Sequence, residues 1–142
     1  MAINVLFFET ADYEKKFFEE NNYEGYNIKF FNECLNETFI ENIPEEILNE
    51  TYVISVFNNS SINENVIKKF KNLRVISIRG TDYDNICVKS CEDKNIAVVN
   101  VPKVYSKSAA QFAVGLMINL VRKILPANSL KNVNINQNEK FI

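Results

Sequence analysis

The chain has 142 residues, 46% of them apolar and 24% charged, with 16 Lys and Arg against 18 Asp and Glu. That balance suits one globular domain with a sizeable core and excludes a disordered or fibrous chain. His is absent and Cys counts three, which rules out Ser/His/Asp triads, Cys/His nucleophile pairs and His-bearing zinc sites.

Three glycines, Gly25, Gly80 and Gly115, are too few and too scattered for a GxGxxG dinucleotide loop or a GxxxxGK[ST] phosphate loop. The net charge of −2 comes without a basic run, so no electrostatic ground exists for a nucleic-acid or anionic membrane partner. A leader-like opening and a long charge-free apolar stretch are both missing from the sequence. The expectation is a cytoplasmic protein whose odd number of cysteines stay reduced.

Strands are expected at Ile3–Phe8, Asn27–Asn32, Tyr52–Phe57, Arg74–Arg79 and Ala97–Val101, where β-branched and aromatic residues cluster. The first, third and fourth are almost continuously apolar, as strands covered on both faces should be. Helical spacing lies between them. Tyr13–Asn21 sets Tyr13, Phe17 and Phe18 on one side, Pro44–Asn49 opens on a first-turn proline, and Asn63–Phe70 carries Val66, Ile67 and Phe70. Asp84–Asp93 offers Ile86, Val88 and Cys91 as inward residues.

Alternation with short connections implies βαβ units with right-handed crossovers. The expected architecture is α/β, a flavodoxin-like five-stranded parallel sheet of order 2-1-3-4-5 with helices on both faces. Ligands in such sheets bind beyond the carboxyl ends of the strands, here residues 9–12, 58–61, 80–84 and 102–106.

Ser106–Ile124 is the longest helical pattern. Ser106 or Ser108 can cap it, Arg122 and Lys123 suit its C-terminal dipole, and Pro126 is expected to stop it. Its apolar residues, from Ala109 to Val121, cover nearly the whole circumference. A helix apolar all round needs burial on a second side, and it falls short of the roughly 20 apolar residues that span a bilayer. The expected organisation is therefore a sheet domain over 1–105, a long apolar helix over 106–125, and an Asn-rich tail or arm over 126–142.

The stretch Arg79-Gly80-Thr81-Asp82-Tyr83-Asp84-Asn85-Ile86, then Asn95-Ile96-Ala97-Val98-Val99-Asn100-Val101-Pro102, then Ser108-Ala109-Ala110-Gln111-Phe112-Ala113 resembles the D-isomer-specific 2-hydroxyacid dehydrogenases in their N-terminal substrate-binding domain. The family pattern is approximately R-x-x-G-[YV]-D-N-I-D, G-I-x-V-x-N-V-P and a V-A-E-x-A helix. Ile3–Phe8 with Asp12-Tyr13-Glu14 is similar to the family's first strand and helix.

The resemblance makes 106–125 an interdomain-type helix, and it implies NAD as cofactor and a small 2-hydroxy or 2-keto acid as substrate. It also implies a Rossmann domain carrying the GxGxxG loop and the catalytic Arg, acid and His, none of which this sequence contains. The chain alone is then expected to bind no cofactor and to be catalytically incomplete, a truncated enzyme half or a repurposed domain. Its helix would meet a Rossmann-domain partner or a second copy in a homodimer; a stand-alone, non-catalytic assembly domain is the competing reading.

In the family, backbone amides of the loop after the fourth strand hold the substrate carboxylate, which maps to Gly80, Thr81 and Asp82. The aromatic after the NVP turn aligns with Val104, one position before Tyr105. Three departures stand out: Asp82 for Gly, Cys87 for Asp, and Gln111 for Glu. A carboxylate at Asp82, about 4 Å from a substrate carboxylate, repels it by several kcal/mol at intermediate dielectric.

Plainer roles compete. Asp82 and Asp84 suit an N-cap, Cys87 and Cys91 suit apolar burial as well as a metal or thiol pair, and Glu9 and Asp12 suit a solvated strand end and a helix cap. Asn58-Asn59-Ser60-Ser61 lacks a phosphoacceptor carboxylate, and Thr10 alone does not make a flavin phosphate loop.

Overall fold

The computed structural model describes residues 2–21, 23–103 and 106–129. It divides into two units, Met1–Lys103 and Val104–Ile142.

In the first unit the strand-forming runs give five parallel strands, β1 (Ile3–Phe7), β2 (Tyr26–Phe30), β3 (Thr51–Val56), β4 (Val75–Ile78) and β5 (Ala97–Val99). Their order is β2-β1-β3-β4-β5. Only the step from β1 to β2 runs toward one edge of the sheet, and every later step runs toward the other. Because such crossovers are right-handed, the helix α1 (Asp12–Asn21) falls on one face. The helices α2 (Glu37–Ile40), α3 (Glu45–Glu50), α4 (Glu64–Lys68) and α5 (Val88–Asp93) fall on the opposite face.

The core occupies that second, fuller side. Leu6, Ile54 and Ile76 stand in register across neighbouring strands, with Phe8, Val56 and Ile78 beyond them. The helices contribute Ile40, Leu48, Val66, Ile67 and Cys91 to the same cluster. On the other side Phe18 of α1 packs its ring 4.8 Å from that of Phe7 and 5.9 Å from that of Phe30.

Of the three residues expected on one side of α1, only Phe18 meets the sheet. Tyr13 and Phe17 are 76% and 55% exposed, while Phe18 packs on the sheet. Glu14, four residues earlier on Phe18's side, accepts from the Ala11 amide. It therefore closes the helix start, and Asp12 lies inside the first turn rather than capping it.

The fourth connection is helical only from Val88, not from Asp84. The Ile62 amide donates to the Asn85 carbonyl and the Ile62 carbonyl accepts from the Cys87 amide, and groups held in that bridge are lost to a helix ladder. The short α2 carries no apolar periodicity to announce it. Its sign is local, since Asn36 Oδ1 accepts from the amides of Thr38 and Phe39.

In the second unit, α6 runs Ser106–Arg122 and α7 runs Ile124–Ser129. The break falls at Lys123, whose φ is 51°. Pro126 does not stop the helix. It sits in the first turn of α7, where the missing N–H has no intrahelical partner to lose. Phe112, Met117, Leu120 and Val121 of α6 are 70%, 62%, 79% and 80% exposed. No helix among the described residues is long and apolar enough to cross a membrane. The remainder of the expected tail, 130–142, lies outside the described residues.

Candidate functional site

The three loops that leave β1, β3 and β4 meet at the carboxyl end of the sheet. Glu9, two residues past the end of β1, lies in the left-handed region, with φ 54°, a conformation that is costly for a residue bearing Cβ and needs compensation. Its carboxylate supplies that compensation by accepting four hydrogen bonds from one loop. The donors are the amides of Phe57 (2.9 Å), Asn59 (2.8 Å) and Ser60 (3.0 Å) and the Ser60 hydroxyl (2.6 Å). Burial opposes ionisation, but the Ser60 hydroxyl and the amides of Asn59, Phe57 and Ser60 outweigh it and hold Glu9 below the ordinary carboxylate range. Glu9 is thus a loop anchor, not the solvated strand end expected from sequence.

Arg79 ties the same place from β4. Its guanidinium donates to the carbonyls of Phe8 (2.7 Å) and Glu9 (3.0 Å), to Ser55 Oγ (3.0 Å) and to Glu14 Oε1 (3.0 Å), and lies over the Phe7 ring. Asn85 completes the arrangement by donating to the carbonyls of Phe57 (3.0 Å) and Ser60 (2.8 Å). Glu9 from one end of the sequence and Arg79 and Asn85 from its middle therefore fix three loops.

On that base sits the segment the family pattern singles out. Gly80 is buried, and a Cβ there would stand 3.0 Å from Asn58 Oδ1. Its carbonyl accepts from the Val101 amide at 2.9 Å. Asn100 Nδ2 donates to the Thr81 carbonyl at 2.7 Å, and the Thr81 hydroxyl approaches the Val101 carbonyl at 3.5 Å. Asp82, Tyr83 and Asp84 are exposed. The loop after β4 is thus braced against the end of β5 while Asp82 faces water. Val104 and Tyr105 lie outside the described residues.

The cysteines divide by environment. Cys87 is the residue before α5, with its Sγ 3.1 Å from Ser90 Oγ, a contact that lowers its thiol pKa. Burial pushes Cys91 up and places it in the core. The described residues contain no cluster of three or more His, Cys, Asp and Glu able to hold a metal ion.

Sequence reasoning passed over Glu9, Arg79 and Asn85 as site-builders. Arg79 and Asn85 stood inside the family stretch, so their types were a usable signal. The donors to Glu9 lie 48 to 51 residues away, and nothing local marks it.

The family described as D-isomer specific 2-hydroxyacid dehydrogenase, catalytic domain, matches residues 5–138. The hydroxypyruvate reductase of Thermotoga maritima is 37% identical over 73 residues, which is 51% of this chain and 24% of that protein. The crystal structure of D-lactate dehydrogenase from Aquifex aeolicus, complexed with NAD and lactic acid, superposes with a TM-score of 0.73 at 23% identity. That match covers 98% of this chain and 40% of the other. D-2-hydroxyisocaproate dehydrogenase gives a TM-score of 0.75 at 18% identity, over 99% of this chain and 42% of the other. The chain spans about a quarter or less of the curated relatives it matches and about two-fifths of these solved structures. With a family match over nearly its whole length and the family's sheet beneath the matched motifs, the chain belongs to the D-isomer specific 2-hydroxyacid dehydrogenases.

Proposed function

We propose that this chain is the substrate-binding portion of an NAD-dependent D-2-hydroxyacid dehydrogenase of the D-lactate type. The observation that carries the reading is the braced loop Gly80–Asp82. Its backbone is fixed from β5 by Asn100 and Val101, and the loops beneath it are fixed by Glu9, Arg79 and Asn85. Preset backbone amides of this kind suit the carboxylate of a small 2-keto or 2-hydroxy acid, because donors held in place need no ordering when the anion arrives.

The residues present do not fit a nicotinamide dinucleotide. Gly25 lies in the turn before β2, Gly80 follows β4, and Gly115 sits within α6, so no glycine-rich turn opens a helix after a strand. NAD, the hydride step and the proton-transferring group belong in this reading to a Rossmann partner, and this chain contributes orientation of the acid. The exposed side chains of α6 are the surface offered to that partner or to a second copy. The three free cysteines favour a reducing, cytoplasmic setting.

The test is direct. The purified chain mixed with NADH and pyruvate should leave the cofactor absorbance unchanged, and measurable turnover by the chain alone would refute its incompleteness.

A further inference from the structure

The loop that carries the proposed carboxylate site also carries a charge of the wrong sign for it. Gly80 and Thr81 are tied to the end of β5 through the Val101 amide and the Asn100 side chain. On the far side the Tyr83 carbonyl accepts from the Ile86 amide at 3.0 Å. Asp82 is held between those anchors. A side chain as short as that of Asp cannot carry its carboxylate far from its own backbone amide, so an anion resting on that amide has a second negative charge about 4 Å away.

Among the described residues nothing uses or neutralises that charge. Helix capping is not its task, because α5 begins at Val88 with Cys87 in the cap position. No ion pair or side-chain hydrogen bond among the described residues involves the carboxylate of Asp82 or of Asp84, and both residues are exposed. Arg79 at the head of the loop spends its guanidinium inward, on Glu14, Ser55 and the carbonyls of Phe8 and Glu9. Lys103, in the loop after β5, makes no ion pair with either acid. A free carboxylate beside an anion site discriminates by charge: it weakens a simple acid and favours a ligand that brings a cation to the same spot.

We infer that the acid suited to this site carries a cation of its own: a short 2-keto or 2-hydroxy acid with an ammonium on its side chain, whose carboxylate rests on the loop amides while the ammonium pairs with Asp82. Asp82 is then the residue that sets the substrate class. The inference rests on the proposal that the Gly80–Asp82 loop holds a substrate carboxylate, and it narrows that proposal to amino-bearing acids. For such a ligand the repulsion and the attraction offset each other, whereas an uncharged side chain leaves the repulsion standing. Because Asp82 faces water, the discrimination between the two is about fivefold, and salt screens it.

Two ligands of the same shape test it on the full isotopically labelled chain. They are (R)-4-amino-2-hydroxybutanoate and (R)-2-hydroxypentanoate, which differ by an ammonium in place of a methyl group. Amide shifts at Thr81 and Asp82 give a dissociation constant for each. The wild type should bind the amino acid about fivefold more tightly than its uncharged counterpart, and added salt should narrow the gap. In Asp82→Asn, which keeps the side chain's shape at an exposed position, the preference should vanish because the uncharged acid gains about fivefold while the amino acid changes little. Equal binding of the two acids by the wild type, or a preference that survives in Asp82→Asn, overturns the inference and leaves the carboxylate site standing. An absence of shifts at these amides with either ligand, in both proteins, overturns the site and the inference together.

Discussion

The sheet unit and α6 use the same kinds of residue to opposite ends. Leu6, Ile54 and Ile76 are at most 1% exposed, whereas Leu120 and Val121 are 79% and 80% exposed. Apolar side chains show that a segment must be covered, but not whether its cover comes from the same unit. For β1, β3 and β4 the fuller face is satisfied by α2–α5. The exposed side chains of α6 have no comparable cover among the described residues of their own unit.

Core and helix substitutions put that contrast to the test most forcefully. Ile76→Ala removes a fully buried side chain from the middle of the sheet and should lower unfolding free energy by about 3 kcal/mol. Leu120→Ala, losing the same number of atoms, should change it by less than about 0.5 kcal/mol under dilute conditions. Chemical denaturation of both variants measures the difference, and equal losses would mean that α6 is packed as tightly as the core. Arg79→Leu should come next, at about 3 kcal/mol or somewhat less, because it strands two carbonyls, Ser55 and Glu14 together.

Glu9 sharpens the comparison through pH. Its native pKa is depressed, so the stability it contributes is fully present above the unfolded value, near 4.5, and is lost as pH falls through the native value. Acid unfolding should therefore steepen below about pH 4.5, and Glu9→Gln should flatten that limb. Part of the slope should survive from Glu37, Glu45 and Glu64, whose pKa values are lowered by side-chain hydrogen bonds, from Asn65, Lys71 and Lys68 first among the donors. An unchanged acid limb in Glu9→Gln would show that its four hydrogen bonds do not carry the linkage. Thiol labelling offers a finer probe of the same division. Cys87 should react in the native protein and Cys91 only on unfolding, since Cys91 is 0% exposed.

Much of the sheet was legible because β-branched runs alternate with helical spacing; the strand order agrees with the flavodoxin-like expectation, and the crossover rule adds only which face each helix takes. Phe17 and Phe18 show what periodicity leaves open, since both are apolar neighbours on α1 and only the second meets Phe7. The loop anchors were harder to read. Glu9 works through donors brought near only by the finished fold, whereas Arg79, Asn85 and Gly80 fell within a stretch whose residue types already pointed to the site. The end of α6 differs from the expected stop at Pro126 because Pro is tolerated in the first turn of a new helix, and the break depends on Lys123 adopting a positive φ, which nothing in its type announces.

Asp82 is where the substrate-binding account is most exposed. Because it faces water, its repulsion of a bound carboxylate falls from the several kcal/mol of a drier site toward about 1 kcal/mol. Asp82→Gly should tighten binding of a 2-keto acid roughly fivefold. The decisive measurement is a titration of the isotopically labelled chain with pyruvate, read amide by amide. Saturable shifts centred on Thr81 and Asp82, spreading to Glu9 and Ser60 and strengthened in Asp82→Gly, are the outcome this account requires; a flat titration in both proteins, or shifts confined to another part of the chain, would contradict it.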